Sequence, residues 1–289
     1  MMASLLRMSI LLLLLFATLP ALSLAGKIRL FNSGTCPYAQ RAWIALEECA
    51  IPYEHVIVDL QDKPQHFIEL YQRANPLPAA RAKVPLLQVI VNDDDDEKDF
   101  LLCESLIVAD YIAEVYGNDS LWAPSPEDRA RVRLFTELCG SAFSYFPLLR
   151  LRSTTTSTAA NADGMLLDSA ALESFKEGLI AADAFLRGLT KEEEGVFLLG
   201  DHFSLAECNA APFIQRCCAI LPEFTGIDPL QLCDELGLGR LKSWIEAVLA
   251  RPSVVKTGVS MESMRESTKG MLERLAAMDK AGENALAKT

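Results

Sequence analysis

The stretch KIRLFNSGTCPYAQRAWIALEEC, residues 27–49, changes its hydrophobic period at a single Cys-Pro pair. Before that pair, KIRLF alternates apolar and polar as a strand does. After it, Ala39, Ala42, Trp43, Leu46 and Cys49 recur at the i, i+3, i+4, i+7 spacing of an amphipathic helix. A strand that runs into a helix across Cys36 and Pro37 puts a thiol at a helix N-terminus. The proline then falls in the first turn, where its missing N–H costs nothing. This junction commits the beginning of the chain to an α/β unit arranged around one cysteine.

Further along, YEHVIVDL (53–60) reads as a second strand and PQHFIELYQRANP (64–76) as a short helix stopped before Pro76. VPLLQVIV (84–91) and DFLLCE (99–104) read as strands joined across NDDDDEKD, and ESLIVADYIAEVYG (104–117) as a helix ending at Gly117. The order β-α-β-α-β-β-α is followed by a linker, APSPED (123–128), and then by helical patterns. Helices are expected over 126–149, 165–188, 204–220 and 239–250, with the polar STTTSTAANADG (153–164) as a loop. GDHFSLAECNAAPF (200–213) carries a strong helix start: Ser204 and Glu207 form a capping box, and Phe203 is placed to staple against Cys208. The Met-rich C-terminal segment reads as an amphipathic helix packed on the bundle, followed by a tail. The expected organisation is a leader at 1–25, an α/β domain at 26–119, an all-helical domain at 126–258, and a C-terminal helix and tail at 259–289.

Composition narrows the possible functions. The chain is 51% hydrophobic and 23% charged, as globular proteins are, and its net charge of -12 argues against nucleic acid or an anionic membrane surface as the main partner. It has no Gly-x-Gly-x-x-Gly fingerprint or P-loop, so nucleotide chemistry has no support. Residues 1–25 have an early cation at Arg7, an apolar run from Ile10 to Phe16 and a closing SLA, the pattern of a secretory signal peptide. The apolar run falls short of the ~20 residues of a bilayer span, so cleavage is expected over retention as an anchor. The expected compartment is therefore the secretory pathway, either the endoplasmic reticulum or the exterior.

Of the eight cysteines, Cys49, Cys139, Cys208 and Cys217 fall in apolar helical patterns and read as buried free thiols. The vicinal Cys217-Cys218 pair reads the same way. His55, His66 and His202 are scattered without ligand spacing, and the acidic run at 92–99 lacks the glycine and spacing of an EF-hand loop. No metal is expected.

The chemistry concentrates at Cys36. A cysteine at a helix N-terminus faces unpaired backbone N–H groups and the positive end of the helix dipole, and both favour a thiolate. Dithiol enzymes of the thioredoxin type place a second cysteine three residues on, where this chain has Ala39. The natural chemistry of an unaccompanied thiol is a mixed disulfide with a small external thiol, resolved by a second molecule of it. KVPLL places Pro85 at a strand entrance, where a cis proline is a costly feature kept for shape; in a thioredoxin-like fold it would turn the Val84 backbone toward the thiol. In CESLIVADYI, Glu104 and Ser105 open a helix whose N–H groups suit a carboxylate, while the Glu104 side chain suits an amine. A ligand with a thiol, a peptide backbone, a free amine and a carboxylate is glutathione.

Residues 27 to about 258 resemble the cytosolic-type glutathione transferases, through CPYAQRAWIALEE, DKPQHF, KVPLL, ESLIVADYI and FLLGDHFSLAECNAAPF. The Cys-Pro-aromatic-Ala motif is similar to that of the cysteine-type classes: omega, lambda and the dehydroascorbate reductases. The resemblance implies a thioredoxin-like N-terminal domain and an all-α C-terminal domain, with glutathione as co-substrate and a small thiol, disulfide or electrophile as second substrate. It permits a homodimer. It also implies that Cys36 is the catalytic thiol and that Tyr38 lines its pocket. Lys63 would meet the glycyl carboxylate, Val84 beside Pro85 the cysteinyl backbone, and Glu104 with Ser105 the γ-glutamyl end. Phe143, Tyr145, Phe146 and Trp244 are expected around the second substrate. The leader departs from the family, whose members are usually cytoplasmic. A rival resemblance, to the chloride intracellular channel proteins, rests on the same fold and a similar Cys-Pro-aromatic motif. It implies a non-enzymatic membrane or glutathione-binding role.

Overall fold

The structure, a computed structural model, describes residues 27–77, 80–91, 98–117, 121–123, 125–149, 169–189 and 195–286. The leader, the 153–164 loop and all but the last two residues of the acidic 92–99 run lie outside the described residues.

Four strands form one mixed sheet: β1 (Lys27–Asn32), β2 (Glu54–Ile57), β3 (Leu86–Ile90) and β4 (Phe100–Cys103), in the order β2-β1-β3-β4. β1 runs parallel to β2 and antiparallel to β3, which pairs antiparallel with β4. Helices α1 (Pro37–Cys49), α2 (Gln65–Ala74) and α3 (Ser105–Tyr116) cover it. The pleat sends alternate residues to opposite faces. Ile28, Leu30, Leu87 and Val89 join the main core with Ala42, Leu46, Val108 and Ile112, whereas Phe31, Leu86 and Cys103 pack with Phe67 and Tyr71 of α2. Covered on both faces, β3 is buried throughout.

The strands are shorter than the apolar patterns suggest. Ladder pairing of β2 ends where Asn32 meets Ile57, because β1 turns away there and leaves 58–60 only one further bond, from Val58 N–H to the Asn32 carbonyl. β3 begins at Leu86 rather than residue 84, since Pro85 has no N–H to give a ladder. The Val84–Pro85 peptide is cis.

The helical region comprises α4 (Pro126–Ala142), α5 (Phe146–Leu149), α6 (Ser169–Leu189), α7 (Leu205–Thr225), α8 (Pro229–Glu235), α9 (Gly239–Ala250), α10 (Pro252–Lys256) and α11 (Met261–Leu286). The single helix expected over 126–149 is broken, because the Pro147 ring would clash with the carbonyl of Phe143 in a continuous helix. Conversely, α7 runs past its expected end at 220. It absorbs Pro212 and Pro222 and stops at Gly226, whose φ of 74° is the left-handed C-cap that glycine provides. Two short helices, α8 and α10, lie outside every expected helix. The first is capped by the Asp228 carboxylate, which accepts from the N–H groups of Leu230 and Gln231.

α11 packs on the bundle as its amphipathic pattern suggests, with Met264 and Thr268 buried and Arg265 paired to Glu223. Among the described residues no helix is long and apolar enough to cross a membrane.

Candidate active site

Cys36 caps α1 with an extended backbone (φ -79°, ψ 115°), and Pro37 takes the first helical position. No side chain caps this end, and the first turn has no acidic residue. The first N–H groups of α1 therefore lack intrahelical acceptors on the side of a half-buried thiol. The chain reaches Cys36 through a tight turn closed by its N–H donating to the Ser33 carbonyl at 3.0 Å. Ala39, where a resolving cysteine would stand, is fully buried.

All eight cysteines are unpaired, and they differ sharply in setting. Burial pushes Cys139, Cys208 and Cys217 well above the ordinary thiol range and raises Cys49 and Cys218 to about 12. Cys217 is tied into the core, donating to the Phe143 carbonyl at 3.4 Å. These thiols stay protonated and inert.

Cys36 opens into a cavity of about 470 Å³, within the range of small-molecule sites. Its lining brings together Tyr38, Lys63, Val84, Pro85, Glu104 and Ser105, which are spread over nearly seventy residues of sequence. Leu60, Tyr71, Ala82 and Lys83 complete it. Of these, Lys83 was legible beside Val84 in KVPLL, and Tyr71 falls one turn after Phe67 on the apolar face of α2. Val84 lies before the first paired residue of β3, so its backbone is outside the ladder. Glu104 holds φ 72° and ψ 116°, a region costly for a residue with a Cβ. That conformation turns the chain from β4 into α3 within one residue and leaves Glu104 exposed on the cavity wall.

Behind the thiol, the helical region grips the start of α1. Arg216 of α7 is buried and donates through Nη2 to the Thr35 carbonyl at 2.9 Å and through Nη1 to Gln40 Oε1 at 2.8 Å. Desolvation lowers its pKa, while the charges of Tyr145 and Cys36 act the other way. Gln40 in turn donates to Gln215 Oε1 at 3.0 Å. Neither arginine of this interface, Arg41 or Arg216, was singled out from the sequence.

The aromatic residues expected around a second substrate divide. Trp244 is fully buried, its Nε1 donating to Glu207 Oε1 at 2.9 Å, and Phe143 stacks on it with centroids 6.3 Å apart. Both are core residues. Tyr145 and Phe146 instead stack on each other and line a smaller cavity of about 100 Å³ beside Pro37, with Thr35, Arg216, Met264 and Met271. Among the described residues no group of side chains could hold a metal ion.

A four-stranded sheet carrying one helix-capping thiol, gripped by a helical region, is the architecture of the thioredoxin-like fold as glutathione transferases use it. The N-terminal domain of glutathione S-transferases matches residues 35–115 and their C-terminal domain residues 159–247. Glutathione S-transferase L2, chloroplastic, of Arabidopsis thaliana is 30% identical over 205 residues, 70% of this chain and 58% of its own length. Glutathione S-transferase omega-1 of Mus musculus is 27% identical over 247 residues, 83% of this chain and 84% of its own. The crystal structure of glutathione transferase Omega 2C from Trametes versicolor superposes with a TM-score of 0.65 at 23% identity, covering 86% of this chain and 99% of its own. The chain belongs to the glutathione transferase superfamily, and its kinship is omega-like.

Proposed function

We propose that this protein is a glutathione-dependent thiol transferase or reductase that works through a mixed disulfide at Cys36. The observation that carries the reading is one half-buried thiol at an uncapped helix start, opening into the cavity of about 470 Å³ without a second cysteine in it. The lining offers a group suited to each part of glutathione. Lys63 and Lys83 supply cations for the glycyl carboxylate, and Val84 supplies backbone groups for the cysteinyl residue. Glu104 suits the amine, and Ser105 at the start of α3 suits the γ-glutamyl carboxylate. The relatives named glutathione S-transferase omega-1 and, from Oryza sativa, probable glutathione S-transferase DHAR1 are consistent with this reading.

The cycle balances without any other cofactor. The Cys36 thiolate attacks the glutathionyl sulfur of a mixed disulfide, forming the Cys36–glutathione disulfide and expelling the second thiol as its thiolate, which takes a proton from water. A glutathione thiolate then attacks the glutathionyl sulfur of that disulfide, so that glutathione disulfide leaves and the Cys36 thiolate returns. With dehydroascorbate as oxidant, two glutathiones supply the two electrons and two protons that make ascorbate. The test is glutathione-dependent reduction of a model mixed disulfide and of dehydroascorbate by wild type and Cys36→Ser. Activity lost in the variant supports the reading, and activity that survives it overturns it.

Residues 1–25 extend the proposal, as a leader that sends the chain into the secretory pathway. N-terminal sequencing of the protein from its own cells should begin near Gly26. A product that starts at Met1 or Met2 refutes this part.

A further inference from the structure

A second cavity, of about 390 Å³, lies between α2 and the sheet and shares no residue with the one at Cys36. Register puts Arg29 of β1 opposite Glu54 on β2 and opposite Gln88 on β3, so the three form a polar row across one face of the sheet. Two residues further along β1 and β2, and two back along antiparallel β3, Phe31, Val56 and Leu86 form the apolar row that a helix-covered face ordinarily carries. α2 closes the space from above. Its His66, Glu69, Leu70 and Arg73 recur at i, i+3, i+4, i+7, one face of the helix, and all four line the cavity.

Two groups in the polar row have capacity that the fold does not use. Gln88 is buried, and its Nε2 donates to Asp99 Oδ2 at 2.6 Å. An ionised carboxylate only accepts, so the amide is fixed with Oε1 as its other end. Among the described residues that buried oxygen has no donor, a costly state for an acceptor. Arg29 meets Glu54 through Nε at 2.8 Å, a bond that does not use its terminal Nη donors. An acceptor and a charged donor fork thus stand on paired residues of neighbouring strands, about 5 Å apart at Cβ. The Glu54 and Glu69 carboxylates share the lining, and Phe31, Val56 and Leu70 give it apolar surface. We infer that this cavity is a binding site for a free α-amino acid with an apolar side chain. The ligand carboxylate takes the Arg29 fork, and its ammonium donates to Gln88 Oε1 and is balanced by Glu54 and Glu69. The apolar side chain lies against Phe31 and Leu70. The inference is independent of the glutathione reading.

The test is titration of the isotope-labelled full chain with L-leucine, followed by backbone amide shifts, which give both Kd and location. The shifts should centre on β1, β3 and α2. Isoamylamine, which lacks the carboxylate, and N-acetyl-L-leucine, which lacks the positive charge, should each bind at least about tenfold more weakly, as loss of a charge-assisted contact requires. Arg29→Met should weaken leucine by about tenfold and change isoamylamine by less than about twofold. Leu70→Trp fills the cavity from the face of α2 and should abolish binding of all three, and it serves alone if Arg29→Met does not fold. No saturable leucine binding at about 10 mM overturns the inference. So do shifts centred on the Cys36 cavity, equal affinity for N-acetyl-L-leucine, or leucine binding unchanged in Leu70→Trp.

Discussion

Two helices of this protein begin in opposite ways. At the start of α7, the Ser204 hydroxyl accepts from the Ala206 N–H, while the buried Glu207 carboxylate accepts from the N–H groups of Leu198 and Ser204, the Ser204 hydroxyl and Trp244 Nε1. At the start of α1, Cys36 accepts nothing through its side chain, and no acid stands in the first turn. One N-terminus spends its dipole on the fold, and the other has no side-chain cap. The same backbone physics thus gives a structural lock in the helical region and, beside the sheet, the uncapped end on which the proposed chemistry rests.

Replacing the thiol sharpens this contrast most. Cys36→Ser should lower glutathione-dependent turnover by about 10³-fold or more, since a hydroxyl does not replace the nucleophile. The same change supplies a good N-cap, so thermal unfolding should show a gain of about 1 kcal/mol. A variant that loses activity and also loses stability would mean that the α1 start is already satisfied in some other way.

Glu207→Ala is the opposite experiment. It strands four buried donors and should cost about 3–5 kcal/mol in urea unfolding, with little change in the alkylation rate of Cys36 in the folded protein. A cost below about 1 kcal/mol would break the comparison, because the cap of α7 would then be dispensable.

Smaller effects belong to the cavity rim. Lys63→Ala and Lys83→Ala should each raise the glutathione KM about three- to fivefold with little change in kcat, the size expected of partly exposed charge pairs. An unchanged KM in both would remove the lysines from the site.

The smallest effect concerns the support under α1. His55 accepts from Asn32 Nδ2 at 3.1 Å and packs against Trp43, and desolvation lowers its pKa against the upward pull of the Glu47 charge. Such a base is held neutral in the fold, so the unfolded chain takes up its proton first as the pH falls. Stability should therefore decline below the ordinary imidazole pKa of about 6.5 and level off once the folded ring also protonates. Urea midpoints at pH 7.5 and 5.5 should differ more in wild type than in His55→Gln, and an equal difference would clear His55.

The residues themselves determined a good deal. Local spacing placed the strand-to-helix junction at Cys36, the capping box at Ser204 and Glu207, and α9 over residues 239–250, because each signal is complete within one or two turns. The proline of KVPLL and the helix start at Glu104 and Ser105 pointed to Val84, Pro85, Glu104 and Ser105, and the family resemblance to Tyr38 and Lys63; all six line one cavity. The tertiary structure alone decided what depends on distant partners. Arg216 reaches Thr35 and Arg41 reaches Asn209 across 181 and 168 residues, separations that no periodicity encodes. It sent Trp244 and Phe143 to the core and Tyr145 to a cavity, although all three look alike as aromatic residues in helical sequence. It also let α7 continue through Pro212 and Pro222 while Pro147 broke the helix before it. A residue type states what a side chain can do. Burial and the neighbours supplied by other elements settle whether that capacity is spent on the core or left facing a ligand.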